Sequence, residues 1–357
     1  MNETMSRIIG HFSLDSAPVR CEPFGGGHVN KTFMVTTAAG RHYILQRINN
    51  FAFPKVDELM ENISRVTAHL RTKTDDPRAV MGLVPTVTGE TYCMVDDGYW
   101  RMLVYAEGTL CLDRPESPRD FYESAVGFGT FQHLLSDFPV ESLHDTIVNF
   151  HNTPDRYRIL REAIAADPMG RVKEVGREID FALAQEERVS LLQHLRDTGE
   201  LPLRVTHNDT KLNNVLMDAE TRKALCVIDL DTVMAGLSVY DFGDAIRYGA
   251  ATAPEDDPVW TNMGLDTEMY REFTRGFAAS CPSLTPLERE LMPLGALVMT
   301  TECGVRFLTD YIKGDVYFSI ARPSHNLDRA RTQLQMAADM MKKWDVMTGI
   351  NREVTGK

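Results

Sequence analysis

The stretch 207–231, HNDTKLNNVLMDAETRKALCVIDLD, holds the side chains of this sequence that are best suited to chemistry. They follow the spacing H-x-D-x-K-x-x-N, with a further aspartate after an apolar segment: His207, Asp209, Lys211, Asn214 and Asp229. Phosphoryl transfer from a nucleotide needs a carboxylate near the attacking hydroxyl, oxygen ligands for a divalent metal and a cation near the γ-phosphate. Asp209 fits the base and Lys211 the cation. Asn214 and Asp229 supply the oxygen ligands.

The same residues could instead form an ordinary loop, because Asp and Asn are common in turns. The D-x-x-x-x-N spacing is nevertheless that of a kinase catalytic loop. A carboxylate that ends an apolar strand, as Asp229 does, needs a charged partner or a metal. Asp231 would share its strand face if the strand continued, and it is either a second metal ligand or a surface turn residue. We interpret Asp241, in the triplet DFG, as a structural residue that hydrogen-bonds loop backbone.

A glycine hairpin near the N-terminus is the predicted nucleotide cradle. Gly25, Gly26 and Gly27 would let backbone N–H groups approach phosphate oxygens, although a plain hairpin turn explains them equally well in isolation. Kinases also place a lysine on the third strand, and here that position holds Gln46. Arg47 faces the other side of a regular strand. Either Gln46 contacts phosphate as a neutral donor, or a bulge or another cation replaces the lysine.

The elements around these residues predict an α+β, bilobal, protein-kinase-like fold. A small antiparallel sheet with one helix is expected from strands in 19–48, 91–95 and 99–105 and a helix over 54–71. The remainder is mainly helical, interrupted by strands at 203–207, 214–217 and 224–230. The helices are predicted at 118–136, 155–166, 176–197, 266–278, 286–313 and 326–345. The predicted divisions are a nucleotide lobe (1–106), a catalytic and acceptor lobe (107–345) and a frayed tail (346–357).

Composition narrows the class of protein. The 357 residues carry a net charge of -13, which argues against a general binder of nucleic acid or membrane surfaces. No signal-peptide core and no apolar run of membrane-spanning length is recognised. The six cysteines are scattered, which favours free thiols and a cytoplasmic location. The oligomeric state is not predicted.

The motifs HNDTKLNNVLMD and VIDLDTVMAGLSVYDFGDAIR resemble the aminoglycoside phosphotransferase and choline kinase superfamily. Longer stretches, EPFGGGHVNKTF, RHYILQRIN, LPLRVTHNDTKLNN and ECGVRFLTDYIKGDVYF, resemble its N-acetylhexosamine 1-kinase group. The resemblance implies a bilobal kinase fold with ATP and Mg²⁺ as cosubstrates. It also implies direct in-line phosphorylation of N-acetylglucosamine or N-acetylgalactosamine to the α-1-phosphate.

The resemblance also assigns roles to individual residues. It makes Asp209 the base that contacts the acceptor, and Asn214 and Asp229 the metal ligands. The linker residues that it places against adenine are Tyr105, Ala106 and Glu107. The residues that it associates with sugar recognition are His28, Arg306 and Tyr317. The missing third-strand lysine departs from the superfamily pattern.

The sugar-site assignment has partial support from the residues. Glu302, Arg306 and Asp310 share one face of the apolar segment 295–312, and charges on a buried helix are usually paired or functional. An ion ladder within the helix is the alternative. For His28, the alternative is a hairpin-tip histidine in water.

Three competing functions remain open at this stage. A related kinase would act on choline, homoserine, methylthioribose or an aminoglycoside. A metal-dependent hydrolase would use His207, Asp209, Asp229 and Asp231 as a metal cluster. An inactive kinase fold, suggested by Gln46, would serve as a binding module.

Overall fold

A computed structural model describes residues 3–25 and 29–356 of the chain. Its N-terminal part is an antiparallel sheet of six strands, in the order β1-β2-β3-β6-β4, with β5 also paired to β6. The elements are α1 (Glu3–Ile9), β1 (Pro18–Pro23), β2 (Lys31–Thr37), β3 (His42–Ile48), α2 (Val56–Arg71), β4 (Leu83–Val84), β5 (Cys93–Val95) and β6 (Gly98–Val104). The predicted small sheet with one helix is confirmed, while α1 and β4 were missed.

The two faces of this sheet have different roles. On β3, Tyr43 and Leu45 are buried in a cluster with Ile8 and Ile9 of α1. Because side chains alternate along a strand, the intervening residues face α2 and the remainder of the molecule. Gln46 belongs to that second face, and it lies directly opposite Arg101 of β6 in the strand register.

The second part of the chain is mainly helical. Its helices are α3 (Pro118–Leu134), α4 (Thr153–Ala166), α5 (Gly176–Val189), α6 (Leu191–Asp197), α7 (Ser238–Gly249), α8 (Thr267–Ser280), α9 (Pro286–Lys313), α10 (His325–Lys342) and α11 (Trp344–Thr355). Its strands are β7 (Thr109–Leu110), β8 (Arg204–Thr206), β9 (Val215–Asp218), β10 (Ala224–Val227) and β11 (Met234–Gly236). They form a three-stranded sheet, β10-β9-β7, and a two-stranded ribbon, β11-β8.

The long helix α9 has the bounds that the sequence predicts. Thr285 and Glu288 form a reciprocal capping box at its start, and Gly314 ends it with φ +99°. By length and composition, α9 is the one helix in the described part of the chain that could cross a membrane. However, 83% of its apolar window is buried inside the protein, as in the core helix of a globular domain.

Two predictions about helices were wrong. The segment 176–197 forms two helices, α5 and α6, which meet at Ser190. The predicted frayed tail instead contains α11, whose Met347 and Ile350 are buried. These two side chains recur at a helical spacing, so the last turns of the chain pack against the core.

Candidate active site

The segment between β8 and β9 forms a loop whose backbone is held by one buried carboxylate. Asp241, which is fully buried on α7, accepts hydrogen bonds from the backbone N–H groups of His207 at 2.9 Å and Asn208 at 2.8 Å. Gln132 donates a third hydrogen bond at 2.6 Å. Three donors satisfy most of the acceptor capacity of a carboxylate. The prediction that Asp241 is a structural residue is confirmed.

Asp209 lies at the turn of this loop, among polar partners. Its carboxylate is 2.8 Å from Nζ of Lys211, and Nδ2 of Asn214 lies 3.2 Å from its other oxygen. Burial alone would lower the pKa of Lys211, but the Asp209 carboxylate raises it above its ordinary value. The cation therefore stays protonated beside Asp209. The backbone N–H of Thr210 donates to Asp244 at 2.9 Å and fixes the loop on the other side.

Asp229 is brought to the same place by hydrogen bonds on either side of it. Ile228 donates its backbone N–H to the Asn214 carbonyl at 2.9 Å, and its own carbonyl lies 2.8 Å from Nε2 of His207. Asp229 itself adopts a left-handed conformation, with φ +60°. Its side chain is open to a cleft, yet the surrounding protein displaces much of its hydration. This desolvation, followed by the charges of Asp231 and Asp209, raises the pKa of Asp229 to about 6.

These oxygens suit a metal ion that is shared with a ligand. Burial and the neighbouring carboxylates of Asp231 and Asp209 disfavour the charged form of Asp229, and a divalent cation bound here would offset that repulsion. Among residues 3–25 and 29–356, no three His, Cys, Asp or Glu side chains form a complete metal cluster. An ion here would take Asn214 and Asp229 as protein ligands and phosphate oxygens or water for the remainder, as Mg²⁺ commonly does.

The strand continuation that would place Asp231 on the face of Asp229 is not found, because β10 ends at Val227 and the chain turns through Leu230–Thr232. The alternative of a surface turn residue is wrong, since Asp231 is buried. One Asp231 oxygen pairs with Arg101, and the other accepts from Nδ2 of Asn30 at 2.7 Å. Both oxygens are therefore engaged by protein donors, which favours a structural role for Asp231 over the predicted second-metal role.

His207 has no place in a metal cluster either. Its side chain is fully buried between the rings of Phe128 and Phe131, and both ring nitrogens contact backbone groups. The cluster that a metal-dependent hydrolase would need is therefore not assembled from His207 and Asp231.

The predicted nucleotide contacts are only partly described. Gly25 has φ +71° and open space around its α-carbon, while Gly26, Gly27 and His28 lie outside the described residues. Tyr105 lies edge-on to Phe24, with ring centroids 6.1 Å apart, and edge-on to His42.

The linker that follows β6 continues through Ala106, which is half-buried, and Glu107, which is exposed. The Glu107 carboxylate reaches back to Nδ1 of His42 at 2.7 Å. Aromatic edges and a polar linker thus flank this end of the sheet.

Gln46 makes two contacts within the sheet. Its Nε2 donates to the Thr32 hydroxyl at 3.2 Å, and its Oε1 accepts from Nε of Arg101 at 2.9 Å. Arg101 is the residue that the sequence interpretation missed. The sequence feature that could have identified it is the single charged residue of the apolar strand GYWRMLV. A buried strand tolerates a charge only when that charge is paired.

The charged face of α9 is not an ion ladder within the helix. Glu302 is buried and binds His151 at 3.0 Å and Thr153 at 2.6 Å. The Arg306 guanidinium lies 5.4 Å from the ring centroids of both Phe150 and Phe318.

The remaining acidic residue of this face, Asp310, organises the loop after α9. It accepts backbone N–H groups from Val316, Tyr317 and Phe318. The Tyr317 side chain is thereby placed at the surface, with 66% of its area exposed.

A polar cavity connects this region to the catalytic loop. Its lining includes Phe150, His151, Asn208 and Tyr240. Nε2 of His151 and the Tyr240 hydroxyl are buried and have no hydrogen-bond partner within the described part of the chain. The Glu302 carboxylate holds the other ring nitrogen of His151, so the unpartnered nitrogen is fixed in orientation.

Comparisons with known proteins agree with this geometry. The profile of the phosphotransferase enzyme family matches residues 20–273. An aminoglycoside phosphotransferase from Alicyclobacillus acidocaldarius superposes with a TM-score of 0.62 and 16% identity, covering 98% of this chain and 96% of that one. Choline kinase LicA from Streptococcus pneumoniae gives 0.54 and 14%, covering 94% and 97%. An amicoumacin kinase in complex with AMP-PNP and Ca²⁺ gives 0.59 and 12%, covering 94% and 93%.

Proposed function

The chain belongs to the phosphotransferase enzyme family, with a kinase-like fold, and from that premise we propose that it is an ATP-dependent anomeric kinase of N-acetylhexosamines. The product would be the α-1-phosphate of N-acetylglucosamine or N-acetylgalactosamine. The observation that carries the phosphotransfer chemistry is the convergence of Asp209, Asn214 and Asp229 around one cleft. All six cysteines are free, which supports a reducing, cytoplasmic location.

In this proposal the side chains position the reactants and move one proton. Asp209 accepts the hydrogen bond of the anomeric hydroxyl and takes its proton as the oxygen attacks the γ-phosphorus in line. The new O–P bond forms as the bond to the β-phosphate oxygen breaks, and ADP leaves. Lys211, kept charged by Asp209, balances the equatorial phosphate oxygens. Mg²⁺ held by Asn214 and Asp229 would neutralise phosphate charge.

The acceptor cavity carries hydrogen-bonding groups for a neutral polar molecule, together with one exposed carboxylate, Asp145. A cationic acceptor calls for free carboxylates or an aromatic cage. Glu302 is engaged by His151 and Thr153, and Asp310 by three backbone N–H groups. The cavity also offers His151 Nε2 and the Tyr240 hydroxyl, which suit hydroxyl or acetamido groups, and on these two groups we base the choice of a neutral acceptor.

An acceptor panel tests the proposal. Purified protein is incubated with ATP and Mg²⁺ and with amino sugars, choline, homoserine, methylthioribose or an aminoglycoside, and products are identified by mass and by phosphorus NMR. We expect phosphorylation of an N-acetylhexosamine at its anomeric oxygen. Preferred turnover of a cationic acceptor supports a related kinase instead. Release of phosphate from an added phosphate monoester without ATP indicates a hydrolase, and nucleotide binding without any transfer indicates an inactive fold.

A further inference from the structure

A buried arginine lies where the two lobes meet. Arg101 on β6 is 1% exposed, and its Nε donates to Gln46 while Nη1 pairs with Asp231 from the other lobe. An isolated charge in such a place would be very unfavourable. The side chain is therefore held by its partners, and the ion pair ties β6 to the turn that follows Asp229.

The Asp231 carboxylate also contacts a second part of the nucleotide lobe. Its second oxygen accepts from Asn30, which immediately precedes β2, the return strand of the glycine hairpin. The Asn30 side chain also accepts the backbone N–H of Asn49 at 3.0 Å. Consequently β6 and the base of the hairpin both contact Asp231, two residues after Asp229, and Asn30 links this contact to the residue that follows β3.

We propose that Arg101 is a positioning residue that fixes the two lobes relative to each other, in a sheet whose third strand lacks the usual lysine. It holds Asp231 and thereby sets the base of the hairpin, at Asn30, relative to Asp229, and it does not contact phosphate. The inference rests on the phosphotransfer part of the proposed function and is independent of the acceptor. Its near-complete burial supports a role through Asp231, because a phosphate-binding cation has to face the cleft.

The arrangement also explains the neutral residue on β3. Gln46 and Arg101 are directly opposed in the strand register, and like charges directly opposite each other are destabilising. A lysine at position 46 would oppose the arginine, whereas the amide oxygen of Gln46 accepts a hydrogen bond from it. A positive charge at one of these positions therefore disfavours one at the other.

Nucleotide binding without acceptor provides the first test. The dissociation constant of ADP with Mg²⁺ is measured by calorimetry for the wild type and for Arg101→Met. We expect at least about tenfold weaker binding in the variant, because losing one partner of a buried charged pair displaces the other. Turnover should fall by about tenfold to a hundredfold, since small misplacements of reactants carry costs of this size.

Conservative and control variants separate positioning from simple loss of fold. Arg101→Lys keeps the charge but not the fork geometry, so its affinity should lie between those of the wild type and Arg101→Met. Arg7 also forms an ion pair in the nucleotide lobe, with Asp96, but both side chains are 56% exposed. Arg7→Met should leave binding and turnover within about twofold, as expected for an exposed pair.

The result that overturns the proposal is a folded Arg101→Met protein with wild-type affinity and turnover. If that variant does not fold, Arg101→Met is combined with Asp231→Asn, which leaves no lone buried charge. Wild-type binding and turnover in the double variant overturn the proposal equally. A negative acceptor panel with intact ADP binding would refute the proposed acceptor and leave this test unaffected.

Discussion

Two aspartates on either side of the catalytic loop show how surroundings assign different roles to one residue type. Asp241 has its oxygens occupied by backbone and amide donors. Asp229 instead faces other carboxylates across a cleft, which together with desolvation raises its pKa to about 6. Burial raises the pKa of Asp241 as well, so the hydrogen bonds separate the two roles: those to Asp241 hold the loop backbone, whereas Asp229 faces the cleft, where a cation can reach it.

Replacing the proposed base tests the chemistry at a single atom. Asp209→Asn keeps the size and polarity of the side chain, so the variant should fold and bind ATP. It cannot take the acceptor proton, and turnover should fall by about 10² to 10⁴. Steady-state rates and ATP affinity are measured in parallel. Turnover within tenfold of the wild type, at unchanged affinity, would remove Asp209 from this role.

Replacing Asp241, the carboxylate that anchors the backbone of the catalytic loop, should change the stability of the protein. Asp241→Asn places an amide opposite two backbone N–H donors, which should cost about 1–3 kcal/mol in the free energy of unfolding. Urea denaturation measures the change. Asp180→Asn, at an exposed position on α5, serves as the control and should be nearly neutral. Equal stability of the two variants would contradict the anchoring role of Asp241.

At the scale of elements, Glu302 of α9 contributes to the stability of the fold and also holds His151, which lines the acceptor cavity. Burial alone would raise the pKa of this carboxyl, but the hydrogen bonds and charge of His151 and the hydroxyl of Thr153 lower it. Because the folded-state pKa lies below the unfolded value of about 4.3, the carboxylate stabilises the fold at neutral pH. This contribution is lost as the pH falls below that unfolded value.

We therefore expect Glu302→Gln to reduce the free energy of unfolding at pH 7 by about 1–3 kcal/mol. The difference from the wild type should shrink as the pH falls from about 5 towards 3.5, by the linkage of protonation to folding. Urea denaturation across this range measures it. Glu162→Gln, in the exposed pair with Arg158, is the matched control. A difference that is constant with pH would show that Glu302 has the same pKa in the folded and unfolded protein, which contradicts its stabilisation by His151 and Thr153.

The C-terminal helix supplies a matched pair of substitutions. Met347 is fully buried and Val346 is 50% exposed, on the same turn of α11. Met347→Ala should destabilise the protein by about 2–5 kcal/mol, whereas Val346→Ala should have little effect. Thermal and urea unfolding compare them. Similar small effects for both would restore the prediction of a frayed tail.

Sequence reasoning succeeded where the signal is local. The bounds of α9 follow from its capping residues, and the β5–β6 turn follows from Asp96 and Asp97, which both have positive φ. The pair formed by Arg101 and Asp231 joins positions 130 residues apart, so spacing gave no indication of it. The role of Asp231 was misjudged because the left-handed residue at position 229 turns the chain, which strand periodicity does not foresee.

At the scale of the whole molecule, the cleft joins two differently built halves. The six-stranded sheet contributes Gln46, Arg101 and the base of the hairpin, while the helical part contributes the catalytic loop and Asp231. Kinase chemistry requires both halves to hold one nucleotide, and a hydrolase built on the loop alone does not. Binding of the nucleotide should therefore stabilise the whole protein.

Thermal unfolding in the presence of ADP tests this dependence on both halves. A ligand that binds only the folded state adds about 2.7 kcal/mol at one hundred times its dissociation constant, so Tm should rise by several degrees. The rise should shrink when EDTA removes Mg²⁺. Asp229→Asn should lose most of the rise while keeping a Tm near that of the free wild type, because the side chain is open to the cleft and its charge is not compensated. An equal rise with EDTA and in Asp229→Asn would mean that nucleotide binds without this carboxylate, and the proposed metal position would then be wrong.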